Sequence, residues 1–394
     1  MATRIASATL HDLLTEQVAR RGRLGERLHG TVLLDSGRGG VWTLRFDHGV
    51  VTSEEGVDDH RDTAVRTDPD TLTEILSGSK SGMQAFLEGK LRVRGNLALS
   101  LKLDGLFSGP DRPPEFPRAA YAQPDGLDTF YLEAGEGPPV LLLHGLGATN
   151  ASMLPTLSDL AHDRRAVAPD LPGFGDSAKP IRSYDALFFA RWALALMDEL
   201  GIERADIIGN SMGGRVAIEV GLLAPDRVGH LVLLAPAPAF IRRRQFVRIV
   251  RFLRPELALV PVYVPHRRVV AGIKSMFSRP ERLADTWYEA AADEFVRIFN
   301  TPRGRIAFFS AARQIYLEEP WGDTGFWDRL PALEVPSLFV WGERDRLVPA
   351  AFARHVEKAL PAATSTVLED CGHVPQYELP DETHRLVREF FASS

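Results

Sequence analysis

A chain of 394 residues exceeds the usual size of one domain, and its hydrophobic content of 45% and charged content of 25% are those of a globular protein. The net charge of −6 leaves no basic excess to follow a phosphate backbone, which excludes nucleic acid as the main partner. A single cysteine, Cys371, excludes an intrachain disulfide, and no apolar run approaches the roughly 20 residues of a membrane helix. Met1 to Leu14 lacks the apolar core of a signal peptide, so a cytoplasmic location is expected.

Leu13, Leu14, Val18, Leu24 and Leu28 are spaced for an opening helix over His11 to Leu28, weakened by Gly22 and Gly25. Strands are predicted at Thr31 to Leu34, Val41 to Phe46, Gly49 to Thr52 and Thr63 to Thr67. Asp35-Ser36-Gly37 and Asp47-His48-Gly49 supply turns between the first three. Asp68-Pro69-Asp70 starts a helix through Leu76. Met83 to Asn96 then reads as helix, glycine turn and strand, before a last helix from Leu97 to Leu106.

That order, with Gly89-Lys90-Leu91-Arg92-Val93-Arg94-Gly95-Asn96 following a helix, resembles the sterol carrier protein 2-like (SCP2) domain from about Asp12 to Phe107. The resemblance implies an apolar tunnel that carries acyl chains or other lipids. Phe86, Leu87, Leu91, Val93, Leu99, Leu101, Leu103 and Leu106 are then candidates for tunnel wall or for ordinary core, and periodicity does not separate the two. His11, His29, His48 and His60 have no metal-ligand spacing, so no metal is expected. Domain boundaries follow from the proline-rich stretch Ser108 to Pro117, where four prolines in eight residues favour a semi-rigid spacer. They place a lipid-binding module at 1–108, a linker at 109–120 and a larger body at 121–394.

From Thr129 onward, apolar runs alternate with helical patterns, which argues for an α/β fold whose mostly parallel sheet is covered on both faces. The runs are Val140 to Leu143, Arg165 to Ala168, Ile207-Ile208, Leu231 to Leu234, Ser337 to Trp341 and Thr364 to Leu368. A long helix is expected at Asp185 to Leu200 and a final one at about Glu382 to Phe391. The Ile207 run ends in Gly209-Asn210-Ser211-Met212-Gly213, a G-x-S-x-G turn between strand and helix. Glycines two residues either side let strand and helix approach, and the turn lifts Ser211 Oγ out of the sheet. It also aims the Met212 N–H at an oxyanion formed by attack on a carbonyl.

Three features together resemble the α/β-hydrolase family over about Tyr121 to Ser394. They are His144-Gly145 after an early strand, the Asp170-Leu171-Pro172-Gly173-Phe174-Gly175-Asp176-Ser177 loop, and the Ser211 turn. Family order implies Asp345 as the acid, with Glu343 as the fallback, and His373 as the base. Leu146 N–H is implied as the second oxyanion donor, and Gly145 and Gly147 as substrate-loop residues. His144 is either a substrate contact or loop architecture. Serine at the turn favours acyl-type hydrolysis through an acyl-enzyme, with no metal or organic cofactor. The Gly209–Gly214 sequence also resembles the meta-cleavage hydrolases, which break carbon–carbon bonds. Other readings are a cofactor-free acyl transfer or perhydrolysis, and a lipid-binding protein with a non-catalytic second half. Cys371 reads as a small packed side chain.

About a hundred residues separate the Leu234 and Ser337 strands, too many for a simple crossover, and a cap is expected at about 236–330. Between Ile241 and Pro280 ten basic residues face one acid, Glu256. Such a segment either lies on an anionic lipid surface or caps the pocket with its arginines in water. Trp287, Phe295, Phe299, Phe308, Phe309, Tyr316 and Trp321 are candidates for an acyl pocket or for lid packing. The expected partner is a hydrophobic ester or lipid.

Overall fold

The computed structural model describes residues 27–107, 113–239, 250–252, 254–260 and 262–393. Most of the expected opening helix, part of the linker and the basic stretch 241–249 lie outside them.

The first sheet has the order β3-β2-β1-β4-β5, from β1 (His29–Asp35), β2 (Val41–Asp47), β3 (Val50–Glu55), β4 (Thr63–Arg66) and β5 (Arg92–Gly95). Trp42, Leu44 and Phe46 are buried, with Val32 and Leu34 beside them. Thr43, between them on the strand, is also buried and donates to the Gly56 carbonyl at 3.0 Å. Helix α1 (Pro69–Ser77) starts where its chemistry dictates. The Asp68 carboxylate accepts from the Asp70 and Thr71 N–H groups, and Pro69 needs no donor there. Helix α2 (Gly82–Leu87) carries a capping box between Ser81 and Gln84. The buried Asp104 of α3 (Leu97–Phe107) accepts from the Gly82 and Met83 N–H groups at 2.7 and 2.9 Å.

Sheet and helices enclose an apolar cavity of about 60 Å³, lined among others by Leu34, Leu72, Met83, Phe86, Leu91, Val93, Leu101 and Leu103. Leu99 is buried elsewhere in the core, and Leu87 packs both against that core and against the cluster of Phe277 and Tyr288 in the cap. The cavity is well below the several hundred Å³ of a typical ligand pocket.

The second sheet runs β13-β12-β11-β10-β8-β9-β7-β6. Its strands are β6 (Arg118–Ala122), β7 (Thr129–Ala134), β8 (Pro139–Leu143), β9 (Arg165–Pro169), β10 (Ala205–Asn210), β11 (Val228–Leu234), β12 (Ser337–Gly342) and β13 (Thr364–Leu368). β6 and β7 form an antiparallel edge; the pairings from β9 and β8 through to β13 are parallel. β6 begins inside the stretch read as a spacer, so residues 118–120 already belong to the large sheet. The central strands are buried along most of their length, as a sheet covered on two faces requires.

Helices α4 (Leu154–Leu160), α5 (Ala186–Glu199), α6 (Met212–Leu223), α10 (Ala353–Ala359) and α11 (Pro380–Ala392) belong to the larger body. Between β11 and β12 lie the cap helices α7 (His266–Lys274), α8 (Asp285–Phe299) and α9 (Pro302–Tyr316). One apolar core runs from Leu97 and Leu101 of α3 through Ala119, Phe130 and Leu132 to Met153 and Leu157. The two halves are thus welded by burial as well as by ion pairs.

Candidate active site

The C-terminal ends of β8, β10, β12 and β13 converge on one edge of the sheet. After Asn210 the chain turns through Ser211 with φ 55° and ψ −114°, then enters α6. A Cβ on Gly209 would lie 2.4 Å from the Gly213 carbonyl, and one on Gly213 would lie 2.1 Å from the Leu143 oxygen. Only glycines permit that approach. The Ser211 N–H donates to Leu234 O at 2.9 Å, and its carbonyl accepts from the Ala237 and Arg215 N–H groups at 2.9 and 3.2 Å.

Asp345 and His373 meet at 2.7 Å through Oδ2 and Nδ1. The other carboxylate oxygen accepts from the Leu347 and Val348 N–H groups at 2.8 and 2.9 Å, which fixes its orientation. The two loops are stitched by Arg344 N–H to Cys371 O and Glu343 N–H to Leu368 O, both 2.9 Å. Glu343 is exposed, and its carboxylate accepts from the Asp370 N–H at 3.1 Å, so Asp345 is the acid that faces the imidazole. Asn210 Nδ2 donates to both Leu234 O and His373 O, at 3.0 and 3.1 Å, and holds the histidine loop beside the serine. Ser211, His373 and Asp345 are 3%, 4% and 5% exposed. With the imidazole proton on Nδ1, toward the carboxylate, Nε2 is the basic nitrogen.

Met212 is the first residue of α6, where an N–H lacks an intrahelical acceptor and the helix dipole is positive. Gly145 abuts the serine; a Cβ there would lie 3.3 Å from Ser211 Cβ, and Leu146 follows directly. Gly147, at φ 72°, lies against Phe308 and Phe295 of the cap, where a Cβ would come within 2.9 and 3.0 Å. Phe295 and Phe299 stack at 5.2 Å with Phe308 edge-on, which makes an aromatic wall over the loop.

His144 is fully buried. Its Nδ1 donates to Gly145 O at 2.8 Å, and its Nε2 accepts from the Leu171 N–H at 3.0 Å. Burial pulls its pKa down to about 4, so the ring is neutral. Both nitrogens are engaged, which favours loop architecture over a substrate contact, the two roles left open for His144. Cys371 is fully buried, and burial pushes its thiol up, as a packed side chain requires.

Two features were not legible in sequence. Tyr316, a candidate for acyl pocket or lid packing by its sequence, places its hydroxyl 3.3 Å from Ser211 Oγ. Trp321, read with it, is exposed instead. The antiparallel register sets His29 opposite Asp47, which brings His29, Asp47 and His48 within ligand distance of one another, all exposed. Strand pairing, not sequence spacing, creates that group.

Residues 138–380 match the α/β hydrolase fold family. The chain is an α/β hydrolase. Residues 12–108 match the SCP-2 sterol transfer family. Over 266 residues this hydrolase is 32% identical to the dihydrolipoyllysine-residue acetyltransferase component of the acetoin cleaving system of Pseudomonas putida; the match covers 67% of this chain and 66% of that protein. The chain thus spans just under two thirds of that relative. Over 300 residues it is 27% identical to a 2-hydroxymuconate semialdehyde hydrolase of Pseudomonas putida, covering 73% of this chain and 98% of the relative. Among solved structures, a membrane phospholipase A described as a bacterial virulence factor superposes with a TM-score of 0.61 at 28% identity, over 71% of this chain and 87% of the other.

Proposed function

We propose that this α/β hydrolase cleaves hydrophobic carboxylic esters through Ser211, His373 and Asp345, and that its SCP2 module binds or presents the acyl chain. The observation that carries the reading is the 2.7 Å pair of His373 and Asp345, tied through Asn210 to a serine in a strained turn. His373 removes the Ser211 proton, Ser211 Oγ attacks the carbonyl, and the Met212 and Leu146 N–H groups hold the oxyanion. His373 returns the proton to the leaving alcohol. Water, deprotonated by the same imidazole, then releases the acid. His144, Gly145 and Gly147 shape the loop that carries the Leu146 donor.

The surroundings favour a neutral, apolar substrate. Phe295, Phe299 and Phe308 line the cap side, while Arg215 is paired with Glu318 and Glu219, and Arg297 with Glu294 and Asp176. A substrate carboxylate would find those cations neutralised. Likeness to the membrane phospholipase A points the same way. The semialdehyde hydrolase relative supports a second reading, cleavage of a carbon–carbon bond beside a ketone.

p-Nitrophenyl esters of increasing acyl length, tested on the full chain and on Ser211→Ala, separate these readings. Ester cleavage rising with chain length and lost by on the order of 10⁴-fold or more in Ser211→Ala supports the first. Ring-cleavage ketones turned over while every ester is refused would transfer the assignment to the second.

Contact with an anionic membrane through the cap is a further part of the proposal. Phe252, Leu257, Leu259, Val260, Val262 and Tyr263 are exposed within twelve residues, with Phe252 at 76% and Tyr263 at 84%. Arg251, Arg254, Arg267 and Arg268 are exposed around them. Apolar side chains rimmed by arginine suit an anionic lipid interface. Flotation with vesicles containing phosphatidylserine is expected to carry the protein up and to fail for Tyr263→Asp with Phe252→Asp; equal flotation of both proteins would refute the contact.

A further inference from the structure

Deepening the reading above, on which it rests, we propose that Tyr316 is a catalytic residue supplied by the cap, donating a hydrogen bond to the leaving-group oxygen of the ester. Its hydroxyl lies 3.3 Å from Ser211 Oγ at the C-terminal end of α9. Ser211 and Tyr316 are 105 positions apart in sequence, so the contact exists only because the cap is seated.

A second, independent feature makes that seat a built one. Arg215, one helical turn after the nucleophile, is 1% exposed. Its guanidinium grips both oxygens of Glu318, two residues beyond Tyr316, at 2.7 and 2.5 Å. Glu219, a further turn along α6, pairs with Arg215 at 2.9 Å and with Arg329 at 2.5 Å. Phe326 packs under the Arg215 guanidinium, 5.0 Å from the ring centre. The helix that follows Ser211 thus holds both ends of the segment after Tyr316. A bidentate arginine–carboxylate pair fixes direction as well as distance.

The assignment to the leaving group follows from what the other donors already serve. When Oγ bonds to the carbonyl carbon, the carbonyl and leaving oxygens share that carbon with it. A hydroxyl beside Oγ can therefore reach whichever of those oxygens lies on its side of the carbon. The carbonyl oxygen takes the Met212 and Leu146 N–H groups, which leaves the alkoxyl oxygen for the phenol. Burial holds the Tyr316 pKa up to about 12, so the group stays a neutral donor and does not compete with His373 for the serine proton. In the collapse step the bond from carbon to the leaving oxygen breaks, with its electron pair moving to oxygen. The proton that His373 took from Ser211 is delivered there. Tyr316 keeps its own proton and stabilises charge while it builds. Glu318 is a positioning residue, acting through the backbone it anchors.

The test compares two octanoate esters with one acyl group and different leaving groups, p-nitrophenyl and ethyl. A nitrophenolate departs with little help, whereas an ethoxide does not. Tyr316→Phe, which removes one oxygen, is expected to lower kcat/KM for the ethyl ester on the order of a hundredfold and for the nitrophenyl ester less than threefold. Glu318→Gln is expected to give a smaller loss with the same leaving-group bias, seen in kcat rather than KM. Equal losses for both esters, or none, would overturn the role of Tyr316 while leaving the nucleophile assignment intact. Ser211→Ala separates the two failures: octanoate cleavage that survives it removes the nucleophile assignment, and this proposal with it.

Discussion

Ser211 holds a backbone conformation that costs a non-glycine residue about 1–3 kcal/mol, and the turn around it leaves no space to relax. Gly209→Ala should therefore be among the most damaging small substitutions, destabilising by about 3 kcal/mol or more; a lowered melting temperature checks this. Asp345 tests a different property, the orientation of an imidazole. Asparagine preserves shape but presents a different partner to Nδ1, and Asp345→Asn should lower kcat on the order of 10³- to 10⁴-fold with little change in stability. A drop of less than tenfold would point to another acid. His144 owes its role to a long-range contact. Its position after β8 was legible, but its role depended on Leu171, 27 positions away, whose N–H takes the remaining nitrogen.

Among the elements, local chemistry and structure agree where the signal is local. The Asp68 cap of α1 also accepts from Thr71 Oγ1, and Asp68→Ala should cost about 1 kcal/mol; denaturant unfolding of the full chain reads it directly. The core strands β8, β10, β11 and β12 were legible because strands covered on both faces are apolar at nearly every position. Arg118–Ala122 was not. It is short, sits at the sheet edge and follows a run of prolines, so its composition suggested a spacer while pairing with β7 makes it a strand. The contact of Tyr316 with Ser211 was illegible for another reason. An aromatic on an amphipathic cap helix looks alike whether it packs the lid or meets Ser211.

At the scale of the whole molecule, the SCP2 module and the cap grip the same loop. Asp176, in the loop whose Leu171 N–H binds His144, pairs with Lys102 of α3 and with Arg297 of α8, the latter at 2.8 Å. Arg94 of β5 reaches Glu289 and Asp293 of α8 at 2.9 and 2.8 Å. Burial alone would raise the Asp176 pKa, but Lys102 and Arg297 hold it at about 2. A carboxylate with a depressed folded-state pKa stabilises in full above its ordinary value near 4, and that stabilisation is lost as pH falls toward 2. Unfolding measured across that window should show a loss of roughly 2 kcal/mol that is absent from Asp176→Asn. At neutral pH the variant should itself be about 3 kcal/mol less stable, because Lys102 is left buried without its partner. Hydrogen exchange in α3 and α8 should rise together in the variant if the loop links module and cap.

The most direct measurement is the intact mass of the protein after exposure to a slowly turned-over phosphonate ester, with the adduct mapped by peptide digestion. A single adduct on Ser211, absent from Ser211→Ala and slowed in Asp345→Asn, is the predicted result. Ester turnover with no adduct on Ser211, or labelling that persists in Ser211→Ala, would contradict a mechanism built on that serine.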